Sequence, residues 1–290
     1  MKITELLSTI TDVANSKGLS QPYIVGGLVR DKILNRVGQF NDIDITTGDS
    51  GIHFLAKFVA EKLDKYGAVY QVMADGHARI IFGNLKLDFS SNFKVPGIRK
   101  ILSNAGIEDP SEMMMELYSR DFTCNAALMT LDLKDILDPT GLAIEDINNR
   151  VIKTCLPPRL TLGFDRKRVI RVPYLAAKLD FSVDKDIVSW IRKNPGAMNT
   201  VEAKYVVKKL VKAIKYNKEK TIQVLNELNL WHDIPAFESM PKEFVNKLVS
   251  AEELDNSFYF ATLHNTVSHN PPPSEELAVG LDEIQEKSVL

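Results

Sequence analysis

Cysteine is scarce in this chain of 290 residues: only Cys124 and Cys155 are present. Two cysteines build no disulfide framework, so the fold must rest on its apolar core, and a reducing, cytoplasmic setting is expected. Long apolar runs are missing too. None approaches the ~18 residues a spanning helix needs, so no membrane partner is expected. The opening stretch, MKITELLSTITDVANSKG, has helical apolar spacing and no small-residue cleavage site, and no signal peptide is expected. Positive charge is not in excess. The net charge of −2 excludes a globally basic nucleic-acid binder and leaves such contacts to local clusters. Two phosphate-binding signatures are also absent: there is no GxxxxGK[ST] run and no GxGxxG, hence no P-loop and no dinucleotide fingerprint.

What the chain does have is GGLVRDKILNRVGQFNDIDITTG, residues 26 to 48. A strand-like YIV runs into the pair Gly26-Gly27, then a helix-like LVRDKIL containing Arg30 and Asp31, then a loop, then DIDIT. On a strand, residues two apart share a face, so Asp42 and Asp44 present their carboxylates side by side. Such a pair is costly unless a cation lies between its members, and hard oxygen ligands suit Mg²⁺. Glycines let a backbone approach a phosphate closely, and a following helix N-terminus attracts anions. The segment reads as a site for a nucleoside triphosphate and its metals.

Coarse periodicity predicts helices over 3–17, 28–36 and 51–65, the last capped by Asp49 and Ser50, and strands over 22–25, 42–46, 68–73, 77–82 and 85–90. Asp75-Gly76 and Gly83-Asn84 read as turns. Asp88, between Leu87 and Phe89, points opposite to its apolar neighbours. Residues 91–112, with Pro96, Gly97, Gly106 and Pro110, read as a loop, and Met113, Met114 and Met115 as adaptable core. Residues 185–195 and 199–230 read as helices, with seven lysines between 204 and 220 that are either a solvated face or a contact to an RNA backbone. From about residue 268 the chain turns polar and acidic and reads as a tail. Strands mixed with helices, then helices alone, predict an α+β head followed by an all-α region.

Four segments in order carry a resemblance. GGLVRDKIL with DIDIT, SRDFTCNAAL (119–128), DPTGLAIEDINNRVIKT (138–154) and FDRKRVIRVPYLAAKLDF (164–181) are similar to the motifs of the class II tRNA nucleotidyltransferase (CCA-adding enzyme) and bacterial poly(A) polymerase family, within the polymerase β-like nucleotidyltransferases. The resemblance implies a nucleotidyltransferase head over residues 1–155, a helical neck and body over 156–235 that selects the nucleobase and contacts RNA, and a short helical remainder and tail over 236–290. It implies addition of CCA, or part of it, to tRNA 3′ ends from CTP and ATP, with Mg²⁺ as cofactor and no DNA partner. Poly(A) addition to RNA, or nucleotide transfer to a non-tRNA target, are the alternatives.

Roles follow the motifs. Asp42 and Asp44 would hold two metal ions, with Asp88 as a possible third catalytic carboxylate. Gly26, Gly27, Arg30, Arg120 and Asn125 would bind the nucleotide, Asn125 either at a sugar hydroxyl or as a brace of its loop. Asp165, Arg168 and Arg171 would read the base, because an Asp accepts from an exocyclic amine and an Arg donates to a ring acceptor, features cytosine and adenine share. Four positions depart from the family pattern. Ser119, Phe164, Arg166 and Tyr174 replace an Arg, a Glu, a Pro and an Arg. Family members also continue through a longer body and tail than is expected here.

Overall fold

The computed structural model describes residues 2–36, 38, 40–73, 77–91 and 94–234. The expected Asp75-Gly76 turn and the region from 236 onward lie outside them. The chain divides into two compact units, one of Met1–Phe164 with Ser182–Ile187, the other of Asp165–Phe181 with the residues from Val188 onward.

The first unit is built from α1 (Ile3–Ser16), β1 (Tyr23–Val25), α2 (Gly27–Ile33), β2 (Asp42–Thr46), α3 (Gly51–Leu63), β3 (Val69–Val72), β4 (Ala78–Phe82), β5 (Leu85–Phe89), α4 (Ile98–Asn104), α5 (Glu112–Ser119), β6 (Leu128–Thr130), β7 (Ile136–Leu137), α6 (Ala143–Asn148), β8 (Val151–Ile152) and α7 (Pro158–Phe164). Its sheet runs β3-β4-β5-β2-β1-β6-β7, antiparallel except where β2 lies parallel to β5. One face is closed by helices. Leu6, Leu7 and Ile10 of α1 and Ile52, Leu55 and Val59 of α3 are buried in the same core as Ile24, Ile43, Ile45, Ile80, Leu87 and Phe89 of the strands. Burying each side chain of this size contributes about 1.5–3 kcal/mol, so the core sets which face of each strand points inward.

Two local readings change. The segment 91–112 is not loop throughout, because Gly97 at φ +73° turns the chain into α4, whose Ile98 and Leu102 pack with Met115 and Leu156. A seven-residue helix between Pro-Gly punctuation is too short for its period to show. At α3 the cap is Asp49 and not Ser50. Asp49 Oδ1 accepts from the backbone N–H of Gly51 at 2.9 Å, whereas Ser50 makes no side-chain cap bond.

Gly48 closes β2 at φ +78°, and a Cβ there would lie 2.8 Å from Met113 Cα. Strand β2 is thereby pressed against the start of α5. Gly48→Ala is expected to cost about 2–4 kcal/mol in urea unfolding, the sum of a left-handed conformation and a backbone clash. Gly18→Ala, at φ +62° with nothing within 4 Å of its Cβ, isolates the backbone share. Equal losses in the two variants would refute the close approach.

The second unit holds α8 (Lys167–Leu179) and most of α9 (Lys185–Lys193), with α10 (Ala203–Tyr216) and α11 (Lys218–Leu228). Asn217 divides the helical stretch read over 199–230 in two: it leaves the helical region at φ −161°, and its side chain accepts from Lys220 N to start α11. Between α8 and α9, β9 (Ser182–Val183) returns to the first unit and pairs in parallel with β8. No helix among the described residues is long and apolar enough to cross a membrane.

Candidate active site

The site begins with the alternation of β2. Ile43 and Ile45 are fully buried, and Asp42 and Asp44 stand exposed on the opposite face. The parallel register sets Lys86 opposite Asp42 and Asp88 opposite Asp44. Lys86 Nζ lies 3.9 Å from Asp42 Oδ1, a surface pair of little energetic weight. Asp88 shares the acidic face, as its apolar neighbours imply, but it is engaged by Arg79 of β4. Arg79 Nε and Nη2 donate to the two Asp88 oxygens at 2.6 and 2.8 Å.

Above Asp44 the chain turns at Gly26, with φ +82° and ψ −137°, a conformation reserved in practice to glycine. A Cβ there would lie 3.0 Å from Asp44 Oδ2 and 3.8 Å from Arg120 Nη1. The bare backbone thus sits against a carboxylate and a guanidinium at once. At Gly27 a Cβ would meet Arg30 Nη2 at 3.4 Å.

Beneath this turn runs a buried polar network. Glu116, fully buried on α5, is hydrogen-bonded by Thr46 Oγ1 and accepts from Arg120 Nη2 at 2.9 Å. Arg120 Nη1 reaches the Asn125 carbonyl at 3.5 Å, while its buried Nε has no hydrogen-bond partner among the described residues. Asn125 accepts from Arg30 Nη1 at 2.8 Å and donates to Asp121 Oδ1 at 3.1 Å. Arg30 is only 2% exposed and also holds Asp31 through Nε at 3.0 Å. In this structure Arg30 and Asn125 therefore brace the joint between α2 and the SRDFT segment, and Asp121 caps Phe122 N at 2.9 Å. The departure at Ser119 has a local use: its fully buried hydroxyl accepts from Val95 N at 3.0 Å and donates to Met115 O at 2.7 Å.

The base-reading candidates lie in the second unit. Asp165 starts α8, its Oδ1 accepting from Lys167 N at 3.0 Å, and its Oδ2 is 3.6 Å from Arg168 Nε. Arg168 is buried and Arg171, one turn on, half-buried. Two departures are absorbed nearby. The Arg166 guanidinium stacks 5.1 Å from the Trp190 ring centroid, and Lys209 of α10 places its ammonium 4.7 Å from the ring of Tyr174. Where the family pattern has an arginine, α10 thus supplies a cation.

Three residues of these networks escape a motif reading. Glu116 had a signal, standing one helical turn before Arg120 at the spacing that lets side chains meet. Arg79 had a weaker one, a charge within the apolar run ARIIF. Lys209 had none, because its partner lies on another helix.

Residues 22–153 match the family model of the Poly A polymerase head domain. The CCA-adding enzyme of Staphylococcus epidermidis is 29% identical over 245 residues, which is 82% of this chain and 57% of that protein. The CC-adding tRNA nucleotidyltransferase of Geobacter sulfurreducens is 32% identical over 197 residues, 68% of this chain and 40% of that protein. The chain thus spans about half the length of the curated relatives it matches. Among solved structures, that of the Bacillus stearothermophilus CCA-adding enzyme in complex with CTP superposes with a TM-score of 0.67 over 91% of this chain and 64% of that one, at 21% identity, a likeness of fold alone. The carboxylate strand, the glycine turn and the SRDFT network all fall within the matched head, and through that head the chain belongs to the class II CCA-adding enzyme and poly(A) polymerase-like nucleotidyltransferases.

Proposed function

We propose that this protein is a template-independent RNA nucleotidyltransferase that adds CCA, or part of it, to tRNA 3′ ends from CTP and ATP. The observation that carries the reading is the pair Asp42 and Asp44, exposed on one face of β2 with the Gly26 backbone pressed against Asp44. The naming of the two curated relatives as CCA- and CC-adding enzymes supports the choice of tRNA.

In the reaction, the primer's terminal 3′-hydroxyl attacks the α-phosphate of the triphosphate. A new phosphodiester bond forms, the α–β anhydride bond breaks, and pyrophosphate leaves. The family generally uses a divalent metal, and Mg²⁺ is the ion we propose here. The donor set fits it, since Asp42 and Asp44 offer hard oxygens in a cradle that a Cβ at Gly26 would fill. When bound, such an ion acidifies the hydroxyl and neutralises triphosphate charge. Asp42 and Asp44 hold that charge in place. Gly26 and Gly27 let the backbone approach the phosphates, and Arg120, seated by Glu116 with its Nε unused, donates to them. Arg30 and Asn125 keep that seat rigid. Asp165, Arg168 and Arg171 read the Watson–Crick edge of the incoming base. The protein's share is positioning and preorganised charge.

The test is incubation of the protein with tRNA lacking its 3′ end, Mg²⁺ and each labelled triphosphate. Addition of two C residues and one A, or of C residues alone, is the expected product. An open-ended A ladder would assign the protein to poly(A) synthesis, and no transfer to any RNA would overturn the reading.

A further inference from the structure

Arg79 and Asp88 are direct partners in the antiparallel pairing of β4 with β5, and Asp88 is in turn the partner of Asp44 across the parallel pairing of β5 with β2. The three carboxylates and the guanidinium therefore share the sheet face opposite to Ile43, Ile45, Leu87 and Phe89. Both planar groups of the Arg79–Asp88 pair are satisfied bidentately, the strongest geometry an ion pair has. Arg79 responds to the whole face. The Asp88 hydrogen bond, and then the negative fields of Asp88, Asp42 and Asp44, hold its proton more firmly than in an ordinary arginine, against the opposing effect of partial burial. Among the described residues, no three acidic, His or Cys side chains close into a metal-holding cluster. The acidic face thus consists of two outward carboxylates and a third whose two oxygens point at an arginine.

We propose that Arg79 is the built-in counter-cation of this site. It occupies Asp88 and offsets the negative potential of Asp42 and Asp44. Metal binding by that pair then occurs against a resident positive charge, which sets the affinity, and Asp88 is a positioning residue for Arg79 and not a third metal ligand. The proposal rests on the reading of Asp42 and Asp44 as the metal pair. A unit charge about 6 Å from a divalent ion weakens its binding about tenfold even at water-like screening.

The test uses Mn²⁺ alone as probe, with the free ion counted by electron paramagnetic resonance against the full chain without nucleotide. Arg79→Met is expected to bind Mn²⁺ about tenfold more tightly than the wild type. Asp88→Asn is expected to bind more weakly, because the released guanidinium turns to Asp42 and Asp44. The double variant Arg79→Met/Asp88→Asn is expected to return near the wild-type affinity. Were Asp88 a metal ligand, the double variant would stay as weak as Asp88→Asn, which overturns the proposal. Unchanged or weaker binding by folded Arg79→Met overturns it as well. Should Arg79→Met fail to fold, the double variant, which removes both charges of the pair, decides alone. Asp42→Ala separates the two levels. Loss of Mn²⁺ binding there, with Arg79→Met unchanged, removes only the counter-cation, whereas retained binding in Asp42→Ala removes the metal pair and this proposal together.

Discussion

Asp42→Ala and Asp44→Ala are each expected to lower nucleotidyl transfer by at least about 10³-fold, because each removes one arm of the charge that holds the cation at the triphosphate. The fold should survive. Both side chains project from the face of β2 opposite the core, and the burial of Ile43 and Ile45, which fixes the strand's register, is untouched. Among the described residues Asp42 gives up a 3.9 Å surface pair with Lys86, of little energetic weight. The measurement pairs single-turnover incorporation of labelled CTP into truncated tRNA with thermal unfolding followed by circular dichroism. Activity within tenfold of the wild type, in a variant with an unchanged melting temperature, would remove these carboxylates from the chemistry.

Glu116→Ala is expected to do the most damage to the fold. It takes the counter-charge from Arg120, which is 8% exposed and otherwise has a 3.5 Å bond to the Asn125 carbonyl. Stripping one partner from a buried ion pair costs about 3–5 kcal/mol, because the remaining charge stays desolvated. For a chain of this size that is roughly a 10 °C fall in melting temperature. Triphosphate affinity should fall too, since Arg120 loses the seat that aims it past Gly26. The double variant Glu116→Leu/Arg120→Met separates the two effects. Replacing both charges by apolar groups removes the unpaired-charge penalty, so stability should largely return while triphosphate binding does not. If binding returned with stability, Arg120 would be a structural residue only.

These variants also mark how far motif logic reaches. The ordered motifs pointed to one strand and one arginine, but they spoke of each residue singly. Arg30, read as a nucleotide ligand, and Asn125, read as a ligand or as a brace of its loop, are joined to each other and to Asp31 and Asp121 in a brace. A motif records that a residue type is needed at a place, and bracing and ligation need the same donors and acceptors. Asp88 illustrates the same limit. Its position on the acidic face was legible from the alternation of LDF, yet its engagement by Arg79 depends on which strand lies beside β5.

What the sequence by itself determined is therefore local and periodic. Alternation in DIDIT decided that two carboxylates share a face and two isoleucines the other, and the glycine pair decided where the backbone could turn tightly. Both follow from geometry within a few residues. Only the tertiary structure decided the company these residues keep. The parallel register of β2 with β5, 44 residues apart at Asp44 and Asp88, set a third carboxylate beside the first two, and the adjoining strand set Arg79 against it. The packing of α5 under β2 drove Glu116 out of water and beneath Arg120. Such pairings are chosen by the burial of the whole sheet, a sum over many distant side chains that no short segment contains.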